Sequence, residues 1–307
     1  MIVVVILVPE SPPEALLAAL PTGDRRVTVV ILRPAEAPTD VAVDAVVWCP
    51  GAPVSSLAGL FESQPSIKWL HSLSAGVDTI SEFISKRLAA SDVIVTNGRG
   101  AFSSSLAEYA LASCLFFNKE FARCERNRAE RKWERFTMGT LAGKTLGFIG
   151  YGDIARATAQ RAAAFGMRLV AMRRQPDKEP GSLLAATYGQ QEWEAFYSQC
   201  DFLVCSLPLT EHTRGIVSRE CFGAMKPSAY LVSLGRGAVI DEEALADALR
   251  TGKLAGVKVG PLTLTSTFIS TLPTTTTQAS SPVQRATSSA PSLCRPTRRC
   301  GSARSCY

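Results

Sequence analysis

The sequence has 307 residues, of which 46% are hydrophobic and 20% charged, which is typical of a globular protein with room for two domains. The net charge of +6 comes largely from residues 261–307, which contain five Arg and no Lys, Asp or Glu. Removing them leaves 28 of the 33 basic residues against all 27 acidic ones, so the rest of the chain offers no basic surface for a nucleic acid.

The chain starts with a short apolar run at residues 2–8, in MIVVVILVPE. No basic residue precedes this run and no small-residue cleavage site follows it, which favours a buried strand over a signal peptide. No segment approaches the length of a membrane span. We therefore expect a cytoplasmic protein that does not contact a membrane.

Five short β-branched runs follow one another over residues 1–98. They occupy residues 2–8, 27–32, 44–49, 67–71 and 93–96, each bounded by Pro, Gly, Asp or Ser. Runs that are apolar on both faces are typical of parallel sheets covered by helices on both sides. The pattern predicts a doubly wound α/β unit.

A long helix is predicted next, in SSSLAEYALASCLFFNKEFARC. Ser105 and Glu108 have the spacing of a capping box, which predicts that the helix begins at Ser105. Residues 109–117, YALASCLFF, are strongly apolar and must be buried, either within the chain or against a second copy of it.

A glycine-rich turn opens a second α/β unit in GKTLGFIGYGDIARATAQ, residues 143–160. Gly150, Gly152 and Ala155 fit the G-x-G-x-x-G/A pattern between a strand and a helix, and a second strand follows at 168–172. In dinucleotide-binding proteins the first glycine permits the turn, the second admits the pyrophosphate, and the helix N-terminus faces the phosphates. The alternative is a tight turn without a ligand. The predicted cofactor-binding residues here are Gly150, Tyr151, Gly152, Asp153 and Ile154.

Arg173 and Arg174 follow the second strand, where NAD-binding proteins usually place an acidic residue. A carboxylate there would repel a 2′-phosphate, whereas a guanidinium binds it. The pair therefore favours NADP(H), with NAD(H) possible. The alternative is two solvated surface arginines.

Further strands are predicted within residues 201–217, 229–256 and 255–259. Six cysteines are scattered through the apolar runs without any C-x-x-C or Cys/His cluster. We expect buried free thiols and no metal site.

Taken together, these motifs resemble the D-isomer-specific 2-hydroxyacid dehydrogenases, in the style of glyoxylate/hydroxypyruvate reductases. The resemblance covers roughly residues 40–256. It rests on SAGVD (74–78), VTNGRGAFSSSLAEYAL (95–111), GKTLGFIGYGDIA (143–155), SLPLTEHTRGIV (206–217), MKPSAYLVSLGRGAVIDEEAL (225–245) and KLAG (253–256).

The resemblance implies a flavodoxin-like substrate domain over 1–101 and a Rossmann domain over 102–260, with the substrate between them. It implies that backbone N–H groups of Ser74, Ala75 and Gly76 bind the substrate carboxylate. Arg236 would be catalytic, binding the 2-oxo acid and polarising its carbonyl. It also implies cofactor contacts from Leu207, Pro208, Thr213, Leu234 and Gly235, and a homodimer.

The same family carries a catalytic Glu and a general-acid His after the segment that resembles KLAG. Here the last acidic residue is Asp247 and the last histidine is His212. His71 and His212 are the alternative proton donors, though both are expected to be structural or exposed. The composition of 261–307 predicts a disordered, low-complexity tail.

Two functions follow. The first is an NADP(H)-dependent reductase of a small 2-oxo acid, such as glyoxylate or hydroxypyruvate. The second is a dinucleotide-binding protein without catalytic activity. Because the family's Glu and His have no counterpart, we expect the 307-residue chain to be marginally stable and nearly inactive.

Overall fold

The computed structural model describes residues 2–12, 14–18, 24–34, 36, 41–176 and 183–260. Over these residues the chain forms two parallel β-sheets, each covered by helices, as predicted. The tail predicted at 261–307 lies outside the described residues.

The first sheet has the strand order β2-β1-β3-β4-β5, and all of its strand pairs are parallel. Its strands are β1 (Ile2–Leu7), β2 (Val27–Leu32), β3 (Ala45–Trp48), β4 (Trp69–Ser72) and β5 (Ile94–Asn97). The helices are α1 (Glu14–Ala18), α2 (Val54–Ser63) and α3 (Ser81–Phe83), the last continued by a π-helical turn at Ile84–Leu88. Each strand agrees with its predicted run to within two residues at either end.

Two helices connect the sheets, α4 (Ser103–Asn118) and α5 (Phe121–Ala129). The predicted start of α4 at Ser105 is wrong. The helix begins at Ser103, its N-cap position is Phe102, and no side chain caps it. Ser105 is already in the first turn, where the Leu106 N–H donates to the Phe102 carbonyl. Packing of the Ala107 and Ala110 face, both fully buried, holds this helix end in place of a cap.

The second sheet has six parallel strands in the order β11-β10-β9-β6-β7-β8. They are β6 (Thr145–Ile149), β7 (Arg168–Met172), β8 (Ala186–Tyr188), β9 (Phe202–Cys205), β10 (Tyr230–Ser233) and β11 (Gly256–Val259). Its helices are α6 (Asp153–Ala164), α7 (Trp193–Gln199), α8 (Arg219–Ala224) and α9 (Glu242–Arg250). Strand β8 was not predicted, because its three half-buried residues show no apolar run.

Much of the apolar run at 109–117 packs within the chain itself, although Ala112 is exposed and Leu115, Phe116 and Phe117 are only half-buried. Ala110, Leu111 and Cys114 belong to one core cluster with strand β6 and helix α6. The Tyr109 hydroxyl donates to the Val259 carbonyl at 2.7 Å, and the Phe117 ring stacks on Tyr230 with centroids 4.2 Å apart. These contacts account for part of the run within one chain, and the homodimer stays a prediction.

Candidate active site

The predicted cofactor-binding residues meet at the carboxyl edge of the second sheet. Strand β6 lies between β9 and β7, so the strands that follow it are added first on one side of β6 and then on the other. In open parallel sheets such a switch point leaves a crevice beyond the strand ends, where ligands bind. The residues that follow β6, β7, β9 and β10 are the ones the sequence predicted to contact the cofactor.

Gly150 makes the turn from β6 into α6. Its φ is +83°, a left-handed conformation that favours glycine, and its N–H donates to the Met172 carbonyl at 2.9 Å. A Cβ at position 150 would lie 2.5 Å from Cδ2 of Leu207. Both backbone geometry and close packing therefore require glycine here.

Gly152 is the N-cap of α6, and a Cβ built on it would meet no atom within 4 Å. The backbone at the start of this helix thus faces open space. Ala155, on the first turn, is fully buried against the sheet. A bare backbone at a helix N-terminus is a suitable site for a phosphate, so these residues fit a dinucleotide pyrophosphate.

The loops after β9 and β10 complete the crevice. A Cβ on Gly235 would lie 2.6 Å from the Leu207 carbonyl oxygen, and the Leu234 N–H donates to the Cys205 carbonyl at 2.8 Å. The Thr213 hydroxyl donates to the Pro208 carbonyl at 2.6 Å and so closes its own loop. The structure thus brings Leu207, Leu234 and Gly235 together beside Gly150.

Arg173 and Arg174 lie directly after β7, at the same sheet edge as the Gly150 turn. Arg173 is half-buried, and its N–H donates to the Tyr188 carbonyl at 3.0 Å, whereas Arg174 is exposed. This is the position expected for a contact to the 2′-phosphate, and that contact stays a prediction. Only Arg174 matches the alternative of a solvated arginine.

The predicted carboxylate-binding loop follows β4 in the first sheet. The Asn97 side-chain amide donates to the Ala75 carbonyl at 2.9 Å, and the Gly98 N–H donates to the Ser74 carbonyl at 3.1 Å. A Cβ on Gly98 would lie 2.8 Å from the Leu73 carbonyl oxygen. The end of β5 therefore holds this loop in place.

Of the three predicted N–H donors, the one of Ser74 is already engaged. It donates to the Ser72 hydroxyl oxygen at 3.2 Å, and Ser72 is fully buried. The N–H groups of Ala75 and Gly76 are the remaining candidates for a substrate carboxylate.

Arg236 reaches this loop from the other sheet. Its Nη2 lies 3.0 Å from Oδ1 of Asp78, and its Nε lies 3.2 Å from both carboxylate oxygens. The guanidinium also covers Gly76 so closely that a Cβ at position 76 would overlap Nη2. The predicted catalytic arginine and the predicted substrate loop therefore meet between the two sheets. Sequence analysis did not single out Asp78, although it ends the quoted SAGVD motif.

A second ion pair joins the two halves, and here the arginine belongs to the first half and the carboxylate to the second. Nε of Arg99, which follows β5, lies 2.7 Å from Oδ2 of Asp153, the first residue of α6. This bond to Arg99 lowers the pKa of Asp153 below its usual value. Sequence reasoning assigned Asp153 to the cofactor site but missed Arg99, whose only local signal is its place in the NGRG segment.

The two histidines lie in different settings. Nδ1 of His71 is 2.8 Å from the Thr96 hydroxyl, which also accepts from the Trp69 indole N–H at 2.8 Å. His212 is exposed in the loop after β9. Among the described residues, neither histidine forms a hydrogen bond or ion pair with Arg236 or with the 74–76 loop.

The described cysteines are free, and most are buried. Burial raises the pKa of the Cys205 thiol to about 11 and that of Cys200 to about 12, so both are neutral at physiological pH. No cluster of potential metal ligands occurs among the described residues. Within the same residues, no helix combines the length and apolar character required to cross a bilayer.

Comparison with known proteins agrees with this geometry. Residues 111–259 match the family described as D-isomer specific 2-hydroxyacid dehydrogenase, NAD binding domain. A hydroxypyruvate reductase from Thermotoga maritima is 35% identical over 206 residues, covering 66% of this chain and 65% of the relative. This similarity supports membership of the chain in the D-isomer specific 2-hydroxyacid dehydrogenase family.

Other members of the family are similar over the same extent. A glyoxylate reductase from Thermococcus litoralis is 31% identical over 207 residues, covering 64% of this chain and 61% of the relative. The chain thus matches slightly less than two thirds of the length of these family members.

Solved structures of the family share the fold. The enzyme of Xanthobacter autotrophicus, solved with NADPH and MES, superposes with a TM-score of 0.71 at 25% identity, covering 85% of this chain and 81% of that one. A glyoxylate/hydroxypyruvate reductase of Sinorhizobium meliloti, solved with NADP and sulfate, gives a TM-score of 0.72 at 24% identity, covering 93% and 84%.

Proposed function

We propose that the protein is an NADP(H)-dependent reductase of small 2-oxo acids such as glyoxylate or hydroxypyruvate. The observation that carries this proposal is the meeting of Arg236 with the 74–78 loop, beside the glycine-rich turn. NADP(H) is the preferred cofactor, because Arg173 and Arg174 stand where an acidic residue would select NAD(H). The relatives solved with NADPH and NADP support the same choice.

Each residue has a part in this function. A reduced nicotinamide, when bound, supplies hydride. The Arg236 guanidinium binds the substrate carboxylate and draws electron density from the adjacent carbonyl. The N–H groups of Ala75 and Gly76 orient the same carboxylate, and Gly150 and Gly152 let the cofactor phosphates approach the backbone.

A second candidate is a dinucleotide-binding protein without reductase activity. The observation that favours it concerns proton supply, since a general acid must lie within hydrogen-bond reach of the carbonyl oxygen. Nδ1 of His71 is engaged by Thr96, His212 is exposed in its loop, and no histidine follows in the sequence. A missing general acid lowers the rate about 10²–10⁴-fold.

The test is a fluorescence titration with NADPH and NADH, followed by an assay of NADPH oxidation with glyoxylate and hydroxypyruvate. Turnover that is lost in Arg236→Gln supports the reductase. NADPH binding without turnover supports the second candidate. A chain that binds neither cofactor overturns both. Arg219→Gln is the matched control, because Arg219 is an exposed arginine of the same half whose ion pair is with Asp247.

Cellular location and assembly stay predictions, of a cytoplasmic protein and a two-fold homodimer. Light scattering on the folded protein at micromolar concentration tests the second. A species of 32.9 kDa would contradict it.

A further inference from the structure

The acidic residue at the glycine-rich turn is unfavourable for the ligand that this turn fits. Asp153 is the first residue of α6, next to Gly152, where a pyrophosphate would lie. A carboxylate at a helix N-terminus is stabilised by the helix dipole, but it repels a phosphate that approaches the same end. Asp153 therefore needs a cation if the site is to accept an anion.

Arg99 is that cation, and it comes from the other half of the molecule. Its Nε and Nη2 lie 2.7 and 3.5 Å from the two Asp153 oxygens, across 54 residues of sequence. The Arg99 side chain is 71% exposed, against 35% for Asp153. An exposed guanidinium can rotate away from its partner at little cost, and its planar fork binds phosphate as well as carboxylate.

Asp153 has another basic neighbour when Arg99 leaves. Nη1 of Arg156, one turn further along α6, lies 3.7 Å from Oδ1 of Asp153. The charge of Asp153 would thus stay compensated within its own helix. If Arg99 leaves Asp153 for a phosphate, the Asp153 carboxylate therefore still has a cationic neighbour.

The backbone of Arg99 is tied to the predicted substrate loop. Its N–H donates to the Asn97 side-chain oxygen at 3.3 Å, and the Asn97 amide donates to the Ala75 carbonyl at 2.9 Å. A movement of Arg99 toward a phosphate would therefore be transmitted through Asn97 to the loop that carries Ala75.

We propose that Arg99 is a cofactor-binding residue that the first half of the molecule contributes to the dinucleotide pyrophosphate, with Asp153 as its counter-ion when the site is empty. The proposal rests on the proposed function, because it requires that the Gly150–Gly152 turn binds a dinucleotide. It differs from a simple tether between the halves, in which Arg99 and Asp153 would serve only each other.

The proposed phosphate contact and a simple tether predict opposite effects of Asp153→Asn on the Kd for NADPH. Removing Arg99 by Arg99→Gln should raise the Kd for NADPH about tenfold, through the lost charge-assisted bond. Asp153→Asn frees Arg99 and removes the repulsive charge, so its Kd should fall, by about threefold. A tether predicts that both variants, which break the same ion pair, change Kd in the same direction.

The measurement is a fluorescence titration of NADPH with the full chain, with thermal unfolding by circular dichroism in parallel. Arg87→Gln is the control, since Arg87 is an exposed arginine of the same half, paired with Glu62 at 2.6 Å. Weaker binding by Asp153→Asn, or equal binding by the Arg99→Gln and Arg87→Gln variants, would overturn the proposal. If Arg99→Gln does not fold, Asp153→Asn alone decides.

Failure of the proposed function has a different signature. A wild-type chain that binds neither NADPH nor NADH overturns the dinucleotide site, and the role of Arg99 with it. A wild-type chain that binds NADPH while Arg99→Gln binds equally well overturns only the role of Arg99.

Discussion

Arg236 and Asp78 form an ion pair between the two sheets, although 158 residues separate them in the sequence. Their side chains are 29% and 30% exposed, so the pair lies in a partly solvated cleft. The carboxylate holds the guanidinium over Gly76, at the loop predicted to bind the substrate carboxylate. Under the proposed function, a 2-oxo acid that enters this cleft would meet an arginine that is already oriented.

Gly76→Ala should weaken the binding of a 2-oxo acid analogue such as oxamate about tenfold. The added Cβ would overlap Arg236 Nη2 and lie 2.8 Å from Asp78 Oδ1, so both side chains must move. Since these atoms end flexible side chains that can move aside, the free energy of unfolding should change little. Calorimetric titration of oxamate in the presence of NADPH measures the loss. Unchanged affinity would contradict the assigned position of Arg236.

Gly235→Ala should weaken NADPH binding. Its Cβ would lie 2.6 Å from the Leu207 carbonyl oxygen, so the backbone after β9 must shift away from Gly150. Fluorescence titration with NADPH checks this expectation. Gly59→Ala in α2 is the control, because its Cβ meets no atom within 4 Å and a helical alanine is favoured by about 0.5–1 kcal/mol. Equal NADPH affinity in the two variants would count against the crevice.

Arg174→Gln should reduce the preference for NADPH over NADH about tenfold. The expected cause is the loss of one charge-assisted bond to the 2′-phosphate, worth about 1.5 kcal/mol. Titration of both cofactors gives the ratio of dissociation constants. Arg168→Gln, at the opposite end of β7, is the matched control. A preference that survives in Arg174→Gln would show that Arg174 does not make the phosphate contact.

Glu134→Gln should lower thermal stability at neutral pH but not in strong acid. The Arg123 guanidinium, 2.6 Å from Glu134 Oε1, together with the Asn127 amide lowers the pKa of Glu134 from 4.5 to about 2. A carboxyl whose pKa is lower in the folded state stabilises the fold above its unfolded pKa, and this contribution disappears as pH falls toward about 2.

The measurement is the unfolding temperature of wild type and Glu134→Gln between pH 7 and pH 2. The difference should be constant above about pH 5 and shrink steadily below pH 4.5. Glu130→Gln, an exposed neighbour, serves as the control. A difference that grows in acid would contradict the ion pair.

The sequence alone determined the features that depend on local geometry. The turn at Gly150 follows from φ preferences and close packing, which the G-x-G-x-x-A spacing reports within a few residues. The strands were predicted because parallel sheets bury both faces, which leaves continuous apolar runs such as VTVVIL at 27–32. Local signals failed at Ser105, where packing of α4 decided the helix start, and at β8, which is too short to show a period.

The tertiary structure alone decided which charges meet. Nothing in the sequence near Arg236 points to Asp78, and nothing near Arg99 points to Asp153. Both pairs form because the two sheets bring their carboxyl-edge loops to one cleft, where a guanidinium on each side faces a carboxylate on the other. Such contacts depend on how two separately folded layers pack, and packing of distant segments leaves no periodic pattern in the chain.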